Sequence, residues 1–171
     1  GIETRPTSDQ LKHFGAALAS YGTVALFHMP GITPEAPTRG AVVDGAGPRP
    51  VSVTAEDLQA FYRGYESPGD KLDVVVFSAP QLSLFELETL AGQLDGKRIH
   101  PGTTLLAITA PDIKTAAMRH GLAGRIEASG AILLAGANPL SVAIGIGERA
   151  LLTRSGFLEA ALRSIPLTIL G

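Results

Sequence analysis

The chain has 171 residues, with 14 Lys and Arg against 16 Asp and Glu, a formal charge of -2 and 45% hydrophobic residues. That length suits one domain with a sizeable core, and the near balance of charge gives no electrostatic footprint for nucleic acid or an anionic membrane. Cysteine is absent, so the sequence offers no disulfide, no thiolate nucleophile and no cysteine ligand for zinc or an iron–sulfur cluster.

The first predicted element is a helix from Ser8 to Tyr21. Thr7 and Gln10 form a capping pair at its start, Leu11, Phe14, Leu18 and Tyr21 recur at helical spacing, and Gly22 stops it. Thr23 to His28 reads as a buried strand, followed by a long Pro- and Gly-rich loop from Met29 to Pro50. Val51–Val53 reads as a short strand. Thr54, with Asp57 three residues on, caps a helix to about Tyr65, and Ser67–Asp70 reads as a turn.

Val74 to Phe77 is a continuous apolar run, the pattern of a central parallel strand. Pro80 is expected to end that strand, and Ser83 with Glu86 forms a capping box for a helix to about Leu94. A strand is expected at Thr104–Thr109, and Pro111 opens a helix to about His120. A short helix at Leu122–Ser129 and a strand at Ala131–Leu134 follow. Gly136–Gly147 is ambiguous. Arg149–Thr153 reads as a strand, Ser155–Arg163 as a helix and Pro166–Leu170 as a last strand. This alternation predicts an α/β three-layer sandwich with a mainly parallel sheet, residues 1–171 forming a single domain.

No apolar run approaches the roughly 20 residues of a membrane span. Residues 1–6 lack the features of a signal peptide, and a cytoplasmic location is expected. The start without Met and the strand-like end read either as a piece of a longer polypeptide or as an ordinary processed or tagged terminus.

In an open α/β sheet, ligands lie outside the carboxyl ends of the strands. Ser78, Gln81, Thr109, Thr153 and Ser155 fall at such ends, where hydroxyls and helix N-termini suit a carboxylate. Ser83 and Ser155 read equally well as plain helix caps. Four histidines show no metal spacing: His13 reads as helix surface, His100 as loop and His120 as a helix end. His28 leads into the Pro-rich loop, where Thr33 is held extended by Pro34 and Glu35 follows. That loop reads either as a pocket wall for a small hydroxy acid or as a rigid connector. Gly145–Ala150 has the form of a dinucleotide fingerprint. Ala150–Leu152 reads as extended, however, and Glu159 comes too early for the acidic partner, so a glycine-containing turn is the better reading. No Ser-His-Asp motif, GxSxG or P-loop occurs.

Two segments carry a family resemblance. Leu26 to Pro37 resembles the F-H-x-x-G-x-T-P-E-A-P segment of the aconitase X family, and Pro80 to Leu87 resembles its C-P-H-L-S-L-E-E-L strand–turn–helix segment. The resemblance runs from about Asp9 to the end and implies the later part of an aconitase-like catalytic region. Members are iron–sulfur-dependent hydro-lyases that remove water from small substrates such as cis-3-hydroxyproline or mevalonate 5-phosphate. An upstream catalytic segment and a small swivel-type domain or subunit are the implied partners, beside a small hydroxy-acid substrate. The implied substrate contacts are His28, Thr33, Glu35, Ser78, Gln81, Thr109, Thr153, Arg154 and Ser155.

This sequence departs from the family at several of these points. Ala79 stands where members carry Cys or Ser, and Gln81 where they carry His. Gly136–Ala137 stands where a cluster cysteine is expected. Thr109–Ala110–Pro111 replaces Thr-Ser-Arg, and Thr153–Arg154–Ser155 replaces Thr-Asn-Ser. The family implies an iron–sulfur cluster whose ligands this sequence lacks. No metal ligand and no general base is assigned. Two readings remain open: a divergent hydro-lyase segment, inactive as this chain by itself, and a cluster-less module that binds a ligand or partner without catalysis.

Overall fold

The computed structural model describes residues 4–64, 72, 74–136 and 152–153. The chain forms two compact units, one from Gly1–Arg5 with Leu26–Lys71 and a larger one from Pro6–Ala25 with Leu72–Gly171.

The larger unit is built on β1 (Val74–Leu82), β2 (Thr104–Thr109), β3 (Ile132–Ala135) and β4 (Leu152–Thr153), in the order β3-β2-β1-β4. Every pairing is parallel, as the βα alternation requires. Side chains alternate across the strands, so β1, β2 and β3 feed two apolar clusters. Phe77, Leu105, Ala107 and Leu133 join Leu87, Leu90, Ala91, Leu94, Ala117, Leu122, Ala123 and Ile126 on one face. Those partners come mainly from α3 (Leu84–Gln93), α4 (Pro111–Arg119) and α5 (Leu122–Ala128). Val74, Val76, Leu106 and Ile108 form the cluster of the other face. Each fully buried Leu or Ile stabilises by roughly 1.5–3 kcal/mol relative to exposure.

The expected start signals form. Ser83 Oγ accepts from the Glu86 amide at 3.2 Å, and Glu86 Oε2 accepts from the Ser83 amide at 2.7 Å. Pro111 opens α4. Helix α1 (Ser8–Gly22) has the reciprocal Thr7–Gln10 box. Gly22 does not provide the left-handed stop: that conformation falls on Thr23, at φ 51°. No residue of α1 is buried.

In the smaller unit, residues 29–36 fold into a tight turn. Gly31 accepts the required positive φ of 79°, and its amide donates to the Ala36 carbonyl at 2.8 Å. A 3-10 turn covers Arg39–Ala41, and α2 (Ala55–Arg63) starts on a Thr54–Asp57 capping box. Among the described residues of this unit, Thr33 and Ala36 are buried.

Three sequence expectations are corrected. Thr23–His28 is not a strand and is not buried, with Leu26 at 69% exposure; the run pairs with none of the described strands. Val51 and Val53 are likewise irregular and exposed. Apolar, β-branched composition makes a strand possible, but pairing makes it real. Pro80 does not end β1, which continues to Leu82. The ladder with β2 shifts register between Phe77 and Leu82, and a residue without an N–H fits where pairing is interrupted. The expected Ser67–Asp70 turn, the Gly145 motif, Arg154, the Ser155 helix and the final strand lie outside the described residues.

Candidate functional site

Parallel pairing puts the carboxyl ends of all four strands at one edge of the larger unit. Thr153 aligns with Val76, two residues before Ser78, while Thr109 aligns with Leu82 on one side and Ala135 on the other. The structure thus brings Ser78, Gln81, Thr109 and the Thr153 backbone to the same edge.

These residues are unequal. Thr109 is fully buried, and its hydroxyl donates to the Leu82 carbonyl at 2.6 Å, tying the end of β2 to the end of β1. Gln81 is exposed, and its carbonyl accepts from Lys12 Nζ at 3.0 Å. Ser78 is buried, and its Oγ has no hydrogen-bond partner among the described residues. An unmet buried hydroxyl costs about 1–3 kcal/mol. Such groups mark places where a further polar atom belongs.

The two neighbouring helix starts also differ. Helix α3 is capped by its own Ser83 and Glu86. Helix α4 has Ala110 at its N-cap and no side-chain cap, so the first-turn amides after Pro111, those of Asp112 and Ile113, are the ones open to an acceptor.

Beside this edge lies a cluster that the sequence does not announce. Helix α1 brings Lys12 and His13 to Glu86. Lys12 Nζ donates to Glu86 Oε2 at 2.5 Å, His13 Nε2 bonds Glu86 Oε1, and Ser83 Oγ donates to Asp9 Oδ2 at 2.8 Å. Burial alone pushes the Glu86 carboxyl up. Hydrogen bonds from His13, Lys12 and the Ser83 amide, with the Lys12 charge, outweigh it and hold the group down at about 2. His13 is therefore not a plain surface residue: its side chain is 16% exposed and its Nδ1 is buried without a partner among the described residues. The one sequence signal is the Lys12-His13 pair, and nothing in it links positions 73 apart to the capping acid.

In the smaller unit, His28, Thr33 and Glu35 lie in one turn. His28 Nδ1 is 3.3 Å from Glu35 Oε1. Thr33 Oγ1 accepts from the Met29 amide at 3.1 Å, so this hydroxyl holds the turn together. Glu35 is held below its ordinary range, first by its own backbone amide and then, against desolvation, by His28 and Thr33. His100 and His120 are uninvolved: His100 Nδ1 accepts from the Gly102 amide, and His120 ends α4.

Residues 1–63 match the aconitase X second domain, and residues 72–158 match the aconitase X third domain. The chain belongs to the aconitase X family. It is 34% identical over 134 residues to cis-3-hydroxy-L-proline dehydratase of Pseudomonas aeruginosa, a stretch covering 77% of this chain and 23% of that protein. It is 35% identical over 129 residues to the phosphomevalonate dehydratase large subunit of Methanothermobacter thermautotrophicus, covering 75% of this chain and 31% of that one. The crystal structure of Thermococcus kodakaraensis aconitase X in its holo-form superposes with a TM-score of 0.70 at 25% identity, over 82% of this chain and 36% of that one. This aconitase X chain thus spans less than a third of the length of either dehydratase, and its parallel α/β architecture is that of the family.

The family's iron–sulfur cluster does not fit this chain's donor set. The sequence has no cysteine, and among the described residues no three His, Asp or Glu side chains gather to hold a metal ion. Among those residues, no helix is long and apolar enough to cross a membrane.

Proposed function

We propose that this aconitase X chain is a segment of the catalytic region of a hydro-lyase acting on a small hydroxylated acid. The dehydratase relatives and the paired domain matches support the reaction class. The unmet Ser78 hydroxyl is the observation that carries the placement. A substrate carboxylate oxygen accepts from Ser78 Oγ and from the uncapped first-turn amides of α4, with the exposed Gln81 amide alongside. Thr109 supports this edge from beneath through its bond to Leu82. Thr153, at the end of β4, and Arg154 and Ser155, which follow it in sequence, complete the proposed anion-binding set. Within the smaller unit, His28, Thr33 and Glu35 form a candidate polar contact set of their own.

These groups bind and orient. Dehydration breaks a C–H and a C–O bond, the C–H electron pair becomes the new C=C bond, and the hydroxyl leaves as water. The remaining machinery comes from an upstream catalytic segment and a small swivel-type domain or subunit; the relatives that are named large subunits support such a partner. We place the working protein in the cytoplasm.

Calorimetric titration of the full chain with cis-3-hydroxy-L-proline and with phosphomevalonate tests the reading. Binding of one, weakened roughly tenfold or more by Ser78→Val, is the expected result. No binding of either compound, or equal binding by the variant, overturns the placement. The absence of cysteine favours a second reading, a non-catalytic binding module. Dehydratase turnover by the whole protein assembled with its partner segments eliminates that one.

A further inference from the structure

We propose that Asp9, Lys12 and His13 of α1, with Ser83 and Glu86 at the start of α3, form a charge clasp that fastens α1 to the sheet unit, and that α1 detaches as one piece when the clasp opens. This inference does not depend on the proposed activity.

Helix α1 lies within the residues matching the family's second domain, yet it packs in one compact unit with residues matching the third. A docked helix is ordinarily held by an apolar stripe. Here no residue of the 15-residue helix is buried, and Leu11 and Leu18 are only partly covered. The attachment is polar instead. Lys12 Nζ reaches Glu86 Oε2 at 2.5 Å and the Gln81 carbonyl at 3.0 Å, and Asp9 flanks Lys12 at 3.5 Å. His13 Nε2 takes the second Glu86 oxygen, and Ser83 Oγ donates to Asp9 at 2.8 Å. Both carboxylate oxygens of Glu86 are thus engaged from α1, and the Glu86 side chain is nearly sealed from solvent, at 7% exposure. Charge-assisted hydrogen bonds around a desolvated carboxylate are the strong kind.

The clasp also has a defined end. Thr23, the one non-glycine among the described residues with positive φ, closes α1 and breaks the backbone direction. Past it, the chain leaves the larger unit at Ala25. The strap therefore comprises α1 and its caps, with no further element of that unit attached before Leu72.

Amide hydrogen exchange on the full 171-residue chain tests the proposal. In Lys12→Met the amides of residues 11–22 lose roughly tenfold or more of their protection and exchange with little dependence on denaturant, while α3, α4 and α5 keep the denaturant dependence of global unfolding. Lys12→Arg, which retains the charge, restores protection. Unchanged exchange of α1 in Lys12→Met overturns the clasp. Exchange of α1 with the same denaturant dependence as α4 and α5 also overturns it, because α1 is then part of the cooperative core rather than a fastened strap.

Discussion

Replacing Glu86 with Gln tests the electrostatics at the α1–α3 contact most directly. Glutamine keeps the shape and can still serve at the third position of a capping box, so the change removes charge and little else. A carboxyl held at about 2 rather than 4.5 makes the ionised form worth about 3 kcal/mol to the folded protein. The group is nearly sealed from solvent, so screening takes little of that. The sign follows from the depressed folded-state value: the contribution is fully present above pH 4.5 and disappears as pH falls towards 2. Urea unfolding of both proteins across roughly pH 2–7 reads it. Wild type is the more stable at neutral pH by up to about 3 kcal/mol, less whatever the amide recovers by hydrogen bonding. The gap closes between pH 4.5 and 2. A gap that stays constant over that interval refutes the reasoning, because Glu86 then titrates alike folded and unfolded.

Ser78→Ala removes a buried hydroxyl that lacks a partner among the described residues, so the ligand-free protein gains about 1 kcal/mol in urea melts; a loss of that size contradicts the assignment. Thr109→Val leaves the Leu82 carbonyl unmet in the interior and costs about 1–3 kcal/mol by the same measurement. Ser83→Ala removes both the α3 cap and the partner of Asp9; the cap by itself costs about 1 kcal/mol, seen as a lower thermal midpoint. Leu87→Ala opens the centre of the larger core and costs about 2–5 kcal/mol in urea unfolding.

The sequence is most legible where local chemistry decides the outcome. Thr7–Gln10, Thr54–Asp57 and Ser83–Glu86 each form the expected reciprocal cap, because a cap joins groups three residues apart. Thr104–Thr109 is readable because a short run buried on both faces leaves few alternatives. Thr23–His28 and Val51–Val53 mislead because a strand depends on a neighbour that no local pattern encodes. Pro80 misleads because a break in the ladder tolerates a residue that the ladder itself excludes. Part of the site edge is readable from strand ends and helix starts. The Lys12–His13–Glu86 contact is not, since it joins residues 73 and 74 positions apart whose pairing arises only after packing.

The sheet order carries a consequence for how the chain matures. Strand β1 is central, and its flank is completed when Val76 meets Thr153, far along the chain. Emerging from a ribosome, the β1–β2–β3 portion assembles first, with the backbone N–H and C=O groups along one edge of β1 still unpaired. Closing so long a loop is slow, and an unprotected inner strand is the place where two nascent copies stick together. Pairing at residues 152–153 therefore covers the flank of β1 that would otherwise stay open to a second copy.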